Sequence, residues 1–474
     1  MSLLQRELAG GTAQGALQGA LAASTLRPAV QAKTGAQSVL PDPVRQRIID
    51  ELLLGLDRDW TKRLATEPQF VEQMRRRIED LVDIHTRSHP TISKVEAVRE
   101  IAQDILGYGP LQPLLDDPEV SEIMVNAPDD IWTERGGKLV HEDGVTFRSA
   151  DHARNILAKI LSPIGREISE ANPMVNARLR DGSRVNAVIH PIALSGFALD
   201  IRKFTRAYSL DELIQMGTLD ERIATLLQLA VAARVNLIVS GGTGSGKTTF
   251  LNVLSGFIPE GERIVTIEDT AELKMRQRHV VALEARPANM EGTGEVRIRD
   301  LVVNALRMRP DRIIVGEVRA AEALDMLQAM NTGHDGSLTT VHANSPSHLI
   351  SRLDTMVLMA GEGLTLPAIR AQIAGSVDLV VQVSRLRDGT RRVTEVAEVL
   401  GLDGDQNVRM RPIFALHRGP MEGDRITGKF IAFGAIPKIV RTKLRWAGLE
   451  VPAGLFERDP EADAWSAPDE EEVG

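Results

Sequence analysis

The most constraining stretch of this chain is Val239-Ser240-Gly241-Gly242-Thr243-Gly244-Ser245-Gly246-Lys247-Thr248-Thr249. The apolar run Val235 to Val239, broken only by Asn236, reads as a buried strand. Phe250, Leu251, Val253 and Leu254 then follow with helical spacing. Gly241, Gly246, Lys247 and Thr248 satisfy the G-x-x-x-x-G-K-[ST] pattern of a phosphate-binding loop. Glycines let backbone N–H groups converge on phosphate oxygens where a Cβ would intrude. The helix starting near Lys247 adds its free N–H groups and the positive end of its dipole. Gly242, Thr243, Gly244, Ser245, Gly246, Lys247, Thr248 and Thr249 are therefore expected to cradle a nucleoside triphosphate. Lys247 would place its charge on the β- and γ-phosphates and the Thr248 hydroxyl would ligate Mg2+. A flexible surface loop can carry the same glycines, but without the strand before and the helix after.

Binding phosphate is not yet chemistry. Hydrolysis needs a carboxylate that orients water and further oxygen atoms around the metal. The apolar strand Ile313–Val315 ends in Gly316-Glu317, which puts Glu317 at the carboxyl end of a strand, where ligands sit in open α/β sheets. Glu317 is the candidate general base; the competing reading is a strand-end salt bridge with Arg319. A second strand, Ile264–Ile267, ends in Glu268-Asp269, two carboxylates placed to hold waters on Mg2+. Helix capping by Asp269 is the alternative there. His334 and His342 flank a short strand, Leu338–Val341, in a hydroxyl-rich setting, where a histidine could hydrogen-bond a γ-phosphate. Their spacing without a third ligand argues against zinc. Arginines from a neighbouring subunit often meet the transition-state charge of such reactions, and Arg184 and Arg202 are the candidates, with plain surface charges as the alternative.

Around this centre the chain divides into six stretches. Residues 1–43 are rich in small and polar residues and read as a disordered tail. A helical segment, 44–90, carries Ile48, Ile49, Leu52, Phe70, Met74, Ile78 and Val82 at helical spacing. Arg75-Arg76-Arg77 within it reads as a solvated face rather than a lipid-binding patch. Residues 91–205 form a small mixed α/β domain with a hairpin turn at Asp181-Gly182. A linker, 206–218, leads to a larger domain, 219–456, whose strands and helices alternate as in a parallel sheet covered on both sides. Residues 457–474 read as an acidic disordered tail.

Composition excludes several classes. The chain has no cysteine, so disulfide frameworks and thiolate metal sites are out, and a reducing compartment fits. A net charge of −9 argues against direct nucleic-acid binding as the main activity. No stretch has the length and apolarity of a membrane span, and no signal-peptide core follows Arg6 and Glu7. The expectation is a cytoplasmic protein that meets the membrane only through partners.

Four stretches in this order resemble the type II/IV secretion ATPase superfamily. They are the phosphate loop, Thr266 to Leu273 as an Asp box, Leu306 to Arg319 as an atypical Walker B motif, and Thr332 to Asn344 as a His box. Leu106 to Leu114, Glu122 to Asn126, Asp181 to Asn186, Ile201 to Phe204 and Ala323 to His334 look like the CpaF/TadA branch, the motors of tight-adherence pili. The resemblance covers roughly residues 45 to 415. It implies a homo-hexamer with ATP between subunits and a RecA-like α/β motor domain preceded by a small mixed α/β domain. It also implies Glu317 as base, Glu268 and Asp269 assisting Mg2+, and both histidines near the γ-phosphate. Arg184 and Arg202 would reach the nucleotide from the smaller domain. The expected output is assembly, and retraction as a further option, of a Tad/Flp-type pilus through an inner-membrane platform protein. A type II or type IV secretion motor, and a RecA-like nucleic-acid translocase, are the alternatives.

Overall fold

The computed structural model describes residues 39–57, 60–164, 166–179, 181–203, 208–286, 288, 293–361, 363–423 and 425–465. The tail expected over 1–43 therefore lies almost wholly outside the described residues, as does the acidic run Asp469 to Glu472. The chain folds as two compact units, Met1–Thr205 and Arg206–Gly474.

The first unit opens with helices, because apolar residues recur every three to four positions. Helices Asp42–Leu53, Pro68–Thr86 and Lys94–Ile105 bury Ile48 and Leu52, then Phe70, Met74, Ile78 and Val82, then Ala97, Ile101 and Ile105 in one core. The helix Lys94–Ile105 thus shares the core of the preceding segment, so the boundary expected at 90/91 cuts through a packed bundle. Arg77 is structural: its guanidinium donates to the Glu51 carbonyl (2.7 Å) and the Leu54 carbonyl (3.3 Å), capping the first helix.

An antiparallel sheet follows, built from β1 (Val120–Ala127), β2 (Asp130–Arg135), β3 (Lys138–His141), β4 (Met174–Arg178), β5 (Arg184–Ile189) and β6 (Phe197–Arg202) in the order β3-β2-β1-β6-β5-β4. Alternation along the strands sends Ile123, Val125, Ile131, Val185, Ala187, Leu199 and Ile201 to one face. Helix Ala150–Leu161 covers that face with Ile156, Leu157 and Ile160. The unforeseen strand is β3. All four of its residues are exposed, so it carries no apolar alternation to read.

The second unit is organised on nine strands: β7 (Leu237–Gly241), β8 (Ile264–Glu268), β9 (Val280–Glu284), β10 (Arg312–Val318), β11 (Leu338–His342), β12 (Leu379–Arg385), β13 (Arg391–Leu402), β14 (Val408–Glu422) and β15 (Arg425–Ala432). Their order is β15-β14-β13-β12-β7-β11-β10-β8-β9. Strands β12, β7, β11, β10, β8 and β9 run parallel, and β13 to β15 extend the sheet antiparallel. Helices Glu221–Ala232 and Lys247–Ser255 cover one face, with Leu226, Leu227, Phe250 and Leu251 in its core. Helices Glu322–Asn331, Pro346–Leu358 and Leu366–Ser376 cover the other. The buried Asn236 in the apolar run is fully used. Its amide donates to the Met330 and Ser376 carbonyls and its oxygen accepts the Gly336 and Ser337 N–H groups.

Two edges of this unit differ from expectation. Residues 208–218 are not a free linker: Ser209 and Glu212 form a capping box on helix Leu210–Gln215, and Leu213 and Leu219 enter the core. From 457 to 465 the chain stays packed. Asp459 accepts from Arg222 Nη1 (2.8 Å) and the Ala432 N–H (2.8 Å), and Ala462 is buried. The long strand β14 is masked in the sequence by Pro412 and Pro420. Both prolines fall where the pairing shifts register, the place a strand tolerates them.

Candidate active site

The phosphate loop connects β7 to helix Lys247–Ser255. Gly244 and Gly246 have φ of +69° and +89°, left-handed values that favour glycine. At Gly241 a Cβ would stand 2.2 Å from the Val383 carbonyl oxygen, so the strand beside β7 admits no side chain there. Lys247 Nζ donates to the Gly242 carbonyl (2.8 Å), and Ser245 Oγ donates to the same oxygen (2.9 Å). The lysine is thus folded onto its own loop. Thr248 and Thr249 sit half-buried in the first turn of the helix, where N–H groups have no intrahelical partner.

Glu317 stands two strands away. Pairing of β10 with β11 is irregular between Val315 and Val318, and pairing with β8 ends at Val315. Gly316 and Glu317 therefore leave the ladder at the strand's carboxyl end. The Thr340 hydroxyl donates to the Gly316 carbonyl (2.7 Å) and holds the irregularity in place. Gly316 has no room for a Cβ, which would lie 2.9 Å from Glu268 Cγ. Glu317 Oε2 accepts from Arg319 Nη2 at 2.6 Å, so the salt bridge weighed above is present. Arg319 also lies 3.7 Å from Asp269. The Glu317 partner, ahead of the Asp269 charge, holds the Arg319 guanidinium above its usual range.

The Asp-box carboxylates separate into two jobs. Glu268 is buried, and its Oε1 accepts the Glu272 and Leu273 N–H groups at 2.8 and 3.0 Å. It anchors the loop that follows β8 instead of facing solvent as a metal-water ligand. Asp269 remains exposed at the sheet's carboxyl edge. No helix begins after it, so the capping role is absent.

The two histidines lie at opposite ends of β11. His342 pairs with Gly241, beside the phosphate loop, and Leu338 pairs with Leu237. His334 precedes the strand and belongs to the far edge of the sheet, roughly 13 Å away by strand rise alone. Within this chain, His334 is thus not beside the phosphates; what tells the two apart is which strand end each occupies. Burial, then the nearby Lys247 charge, pushes the His342 imidazole below its usual range and keeps it neutral.

Arg184 and Arg202 are directly opposed across β5 and β6, and Arg178 on β4 opposes Arg184. Three guanidinium-bearing residues therefore share one row of the first unit's sheet. Nothing local in the sequence marks Arg178; only the strand register brings it beside the other two.

Among the described residues, no three His, Asp or Glu side chains cluster as a metal-binding group. Thr248 lies in the first turn of the helix after β7, and Asp269 follows β8, three strands away at the same carboxyl edge.

A phosphate loop at the carboxyl edge of a helix-covered parallel sheet, with a glutamate leaving the ladder two strands over, defines a RecA-like P-loop ATPase. The chain belongs to the type II/IV secretion system protein family, whose family model matches residues 104–408. Its relatives include a putative conjugal transfer protein of Mycobacterium tuberculosis, 39% identical over 314 residues, or 65% of this chain and 88% of that protein. The conjugal transfer protein TrbB of Rhizobium radiobacter is 35% identical over 66% of this chain and 92% of its own length. The type IV secretion system protein PtlH of Bordetella pertussis is 37% identical over 60% and 92%. Among solved structures, the VirB11 ATPase of Brucella suis in complex with sulphate is 30% identical, with a TM-score of 0.33, covering 60% of this chain and 91% of that one. Members of this family hydrolyse ATP, and this chain is an ATPase of that kind. No described helix is long and apolar enough to cross a membrane.

Proposed function

We propose that this chain is the homo-hexameric motor ATPase of an envelope-spanning machine of the type IV secretion or conjugation class, working at the inner face of the cytoplasmic membrane through membrane-bound partners. The names of its relatives favour this class over a pilus motor. The observation that carries the chemistry is Glu317, released from the ladder at the same sheet edge as the phosphate loop.

In this reading Lys247 leaves the Gly242 carbonyl for the β- and γ-phosphate oxygens. Glu317 keeps Arg319 on one carboxylate oxygen, orients a water with the carboxylate's other oxygen and accepts its proton as the water oxygen bonds to the γ-phosphorus. The bond from that phosphorus to the β–γ bridging oxygen breaks, leaving ADP and phosphate. Mg2+, carried on the nucleotide, would neutralise developing charge when bound, with Thr248 and Asp269 as its protein-side neighbours. His342, neutral and beside the loop, can donate to the γ-phosphate and register its loss. Arg184 and Arg202 would serve the nucleotide of an adjacent subunit.

A second reading, a Tad/Flp pilus motor acting on a platform protein, draws on the stretches Leu106 to Leu114 and Ala323 to His334 quoted above. The test is phosphate release by the full chain and by Glu317→Gln. The variant is expected to bind ATP within twofold of wild type while turnover falls on the order of 10²-fold or more. Unchanged turnover would remove Glu317 as the base. Stimulation by a pilus platform protein but not by a type IV secretion membrane component would decide for the second reading.

A further inference from the structure

One hairpin beside the phosphate loop is left unused by the chemistry above. β12 lies parallel to β7 with Gln382 opposite Ser240 and Val383 opposite Gly241. Ser384 and Arg385 therefore continue past the end of β7, alongside the loop. The chain turns back at Asp388-Gly389, and Arg391 on β13 comes to lie directly opposite Arg385. Arg391 Nε donates to the Gly244 carbonyl at 2.8 Å. Its Cδ is 3.2 Å from where a Cβ on Gly246 would be, and Arg385 Nη1 is 3.6 Å from the same point on Gly244. Both glycines belong to the phosphate loop, so both arginines lie along its flank.

The hairpin is held firmly. Asp388 Oδ1 accepts the Thr390 N–H (2.9 Å) and hydroxyl (2.6 Å), its Oδ2 accepts the Ile426 N–H of β15 (2.8 Å), and Leu386 is buried. Their place on the loop's flank sets both guanidinium groups where a bound polyphosphate can accept charge-assisted hydrogen bonds. The hydrogen bond to the Gly244 carbonyl also has a direction: it turns an oxygen dipole toward the hairpin, leaving the loop's N–H groups for the ligand.

Which part of the nucleotide meets the hairpin follows from the other flank. With Glu317 as base, as proposed above, the γ-phosphate points toward β11 and β10. The opposite flank of β7, occupied by β12 and β13, then receives the non-reacting half. We propose that Arg385 binds the α- and β-phosphates and sugar of the nucleotide directly, and that Arg391 positions the phosphate loop for the same half. Both come from the chain that carries the loop, unlike Arg184 and Arg202. The pair holds ADP as firmly as ATP, and so governs retention of the product.

The experiment measures ADP and ATP binding to the full chain by calorimetry, for wild type, Arg385→Ala and Arg391→Lys, with circular dichroism as a folding check. Arg385→Ala is expected to weaken ADP and ATP by the same factor, about tenfold, equal to about 1.4 kcal/mol. Arg391→Lys keeps the charge but loses the guanidinium geometry, and is expected to weaken both by a smaller common factor. The phosphorus resonance of the α-phosphate of bound ADP should move in Arg385→Ala, a change that a merely structural role would not produce. Wild-type ADP affinity in Arg385→Ala would overturn the assignment, and so would loss of ATP binding alone. Glu317→Gln binds ADP normally on either outcome, so the role of the base is judged separately.

Discussion

Glu317 and Arg319, two residues apart, close a salt bridge of 2.6 Å at the end of β10 while the Arg319 backbone is pinned by Glu322. Glu322 Oε1 accepts the Arg319 and Ala320 N–H groups at 2.7 and 2.9 Å. The guanidinium thus swings from a fixed point and holds Glu317. Arg319→Ala should leave ATP binding intact and lower turnover about tenfold, because the carboxylate loses its orientation. Steady-state phosphate release at saturating ATP measures this; a rate at or above wild type would mean that Arg319 only restrains the site.

Lys247 supplies the positive charge that a phosphate cradle needs beside its backbone N–H groups. ADP binding stabilises the folded state by mass action, so wild type should melt at higher temperature with saturating ADP. In Lys247→Ala that rise should vanish while the ligand-free melting temperature changes little. A thermal melt with and without ADP reads both.

Gly316 and Glu268 are packed so closely that either one fixes the other. Gly316→Ala forces a Cβ to within 2.9 Å of Glu268 Cγ and should cost about 1–3 kcal/mol. Glu268→Ala removes the acceptor of two backbone N–H groups and should cost a similar amount. Denaturant unfolding of each tests the values. If Glu268→Ala is as stable as wild type and fails only in Mg2+-dependent turnover, Glu268 is a metal-site residue after all.

Arg184 and Arg202 occupy one cross-strand row in the first unit. If they serve a neighbour's nucleotide, mixed assemblies of wild type with Arg184→Ala or Arg202→Ala should lose activity faster than the wild-type fraction falls. Linear dilution would place both arginines outside the reaction.

Glu395, on β13 opposite Gln382, is lifted by burial to about 7. Unfolded, the group titrates near 4.5. The fold favours the protonated form, so the contribution to stability is full below about 4.5 and is lost as pH rises through about 7. Glu395→Gln should therefore match wild type in mild acid and exceed it near pH 8 by up to about 3 kcal/mol. Urea unfolding at two pH values measures the difference; a pH-independent gap would contradict it.

Local chemistry made the phosphate loop, the strand ends carrying Glu317 and Asp269, and most helices legible in the residues alone. Each depends on neighbours within a few positions: glycines at a tight turn, apolar residues at a strand or helix period. Relations across the sheet were not legible. That His334 and His342 sit at opposite edges follows from strand direction, and Glu268's buried anchoring job follows from Gly316 on the adjacent strand. The row Arg178–Arg184–Arg202, and Arg391 against Gly244, exist only because strands distant in the chain pair in one register. Hydrogen-bond register between strands is set by the summed burial of many side chains, and no single stretch of sequence carries that sum.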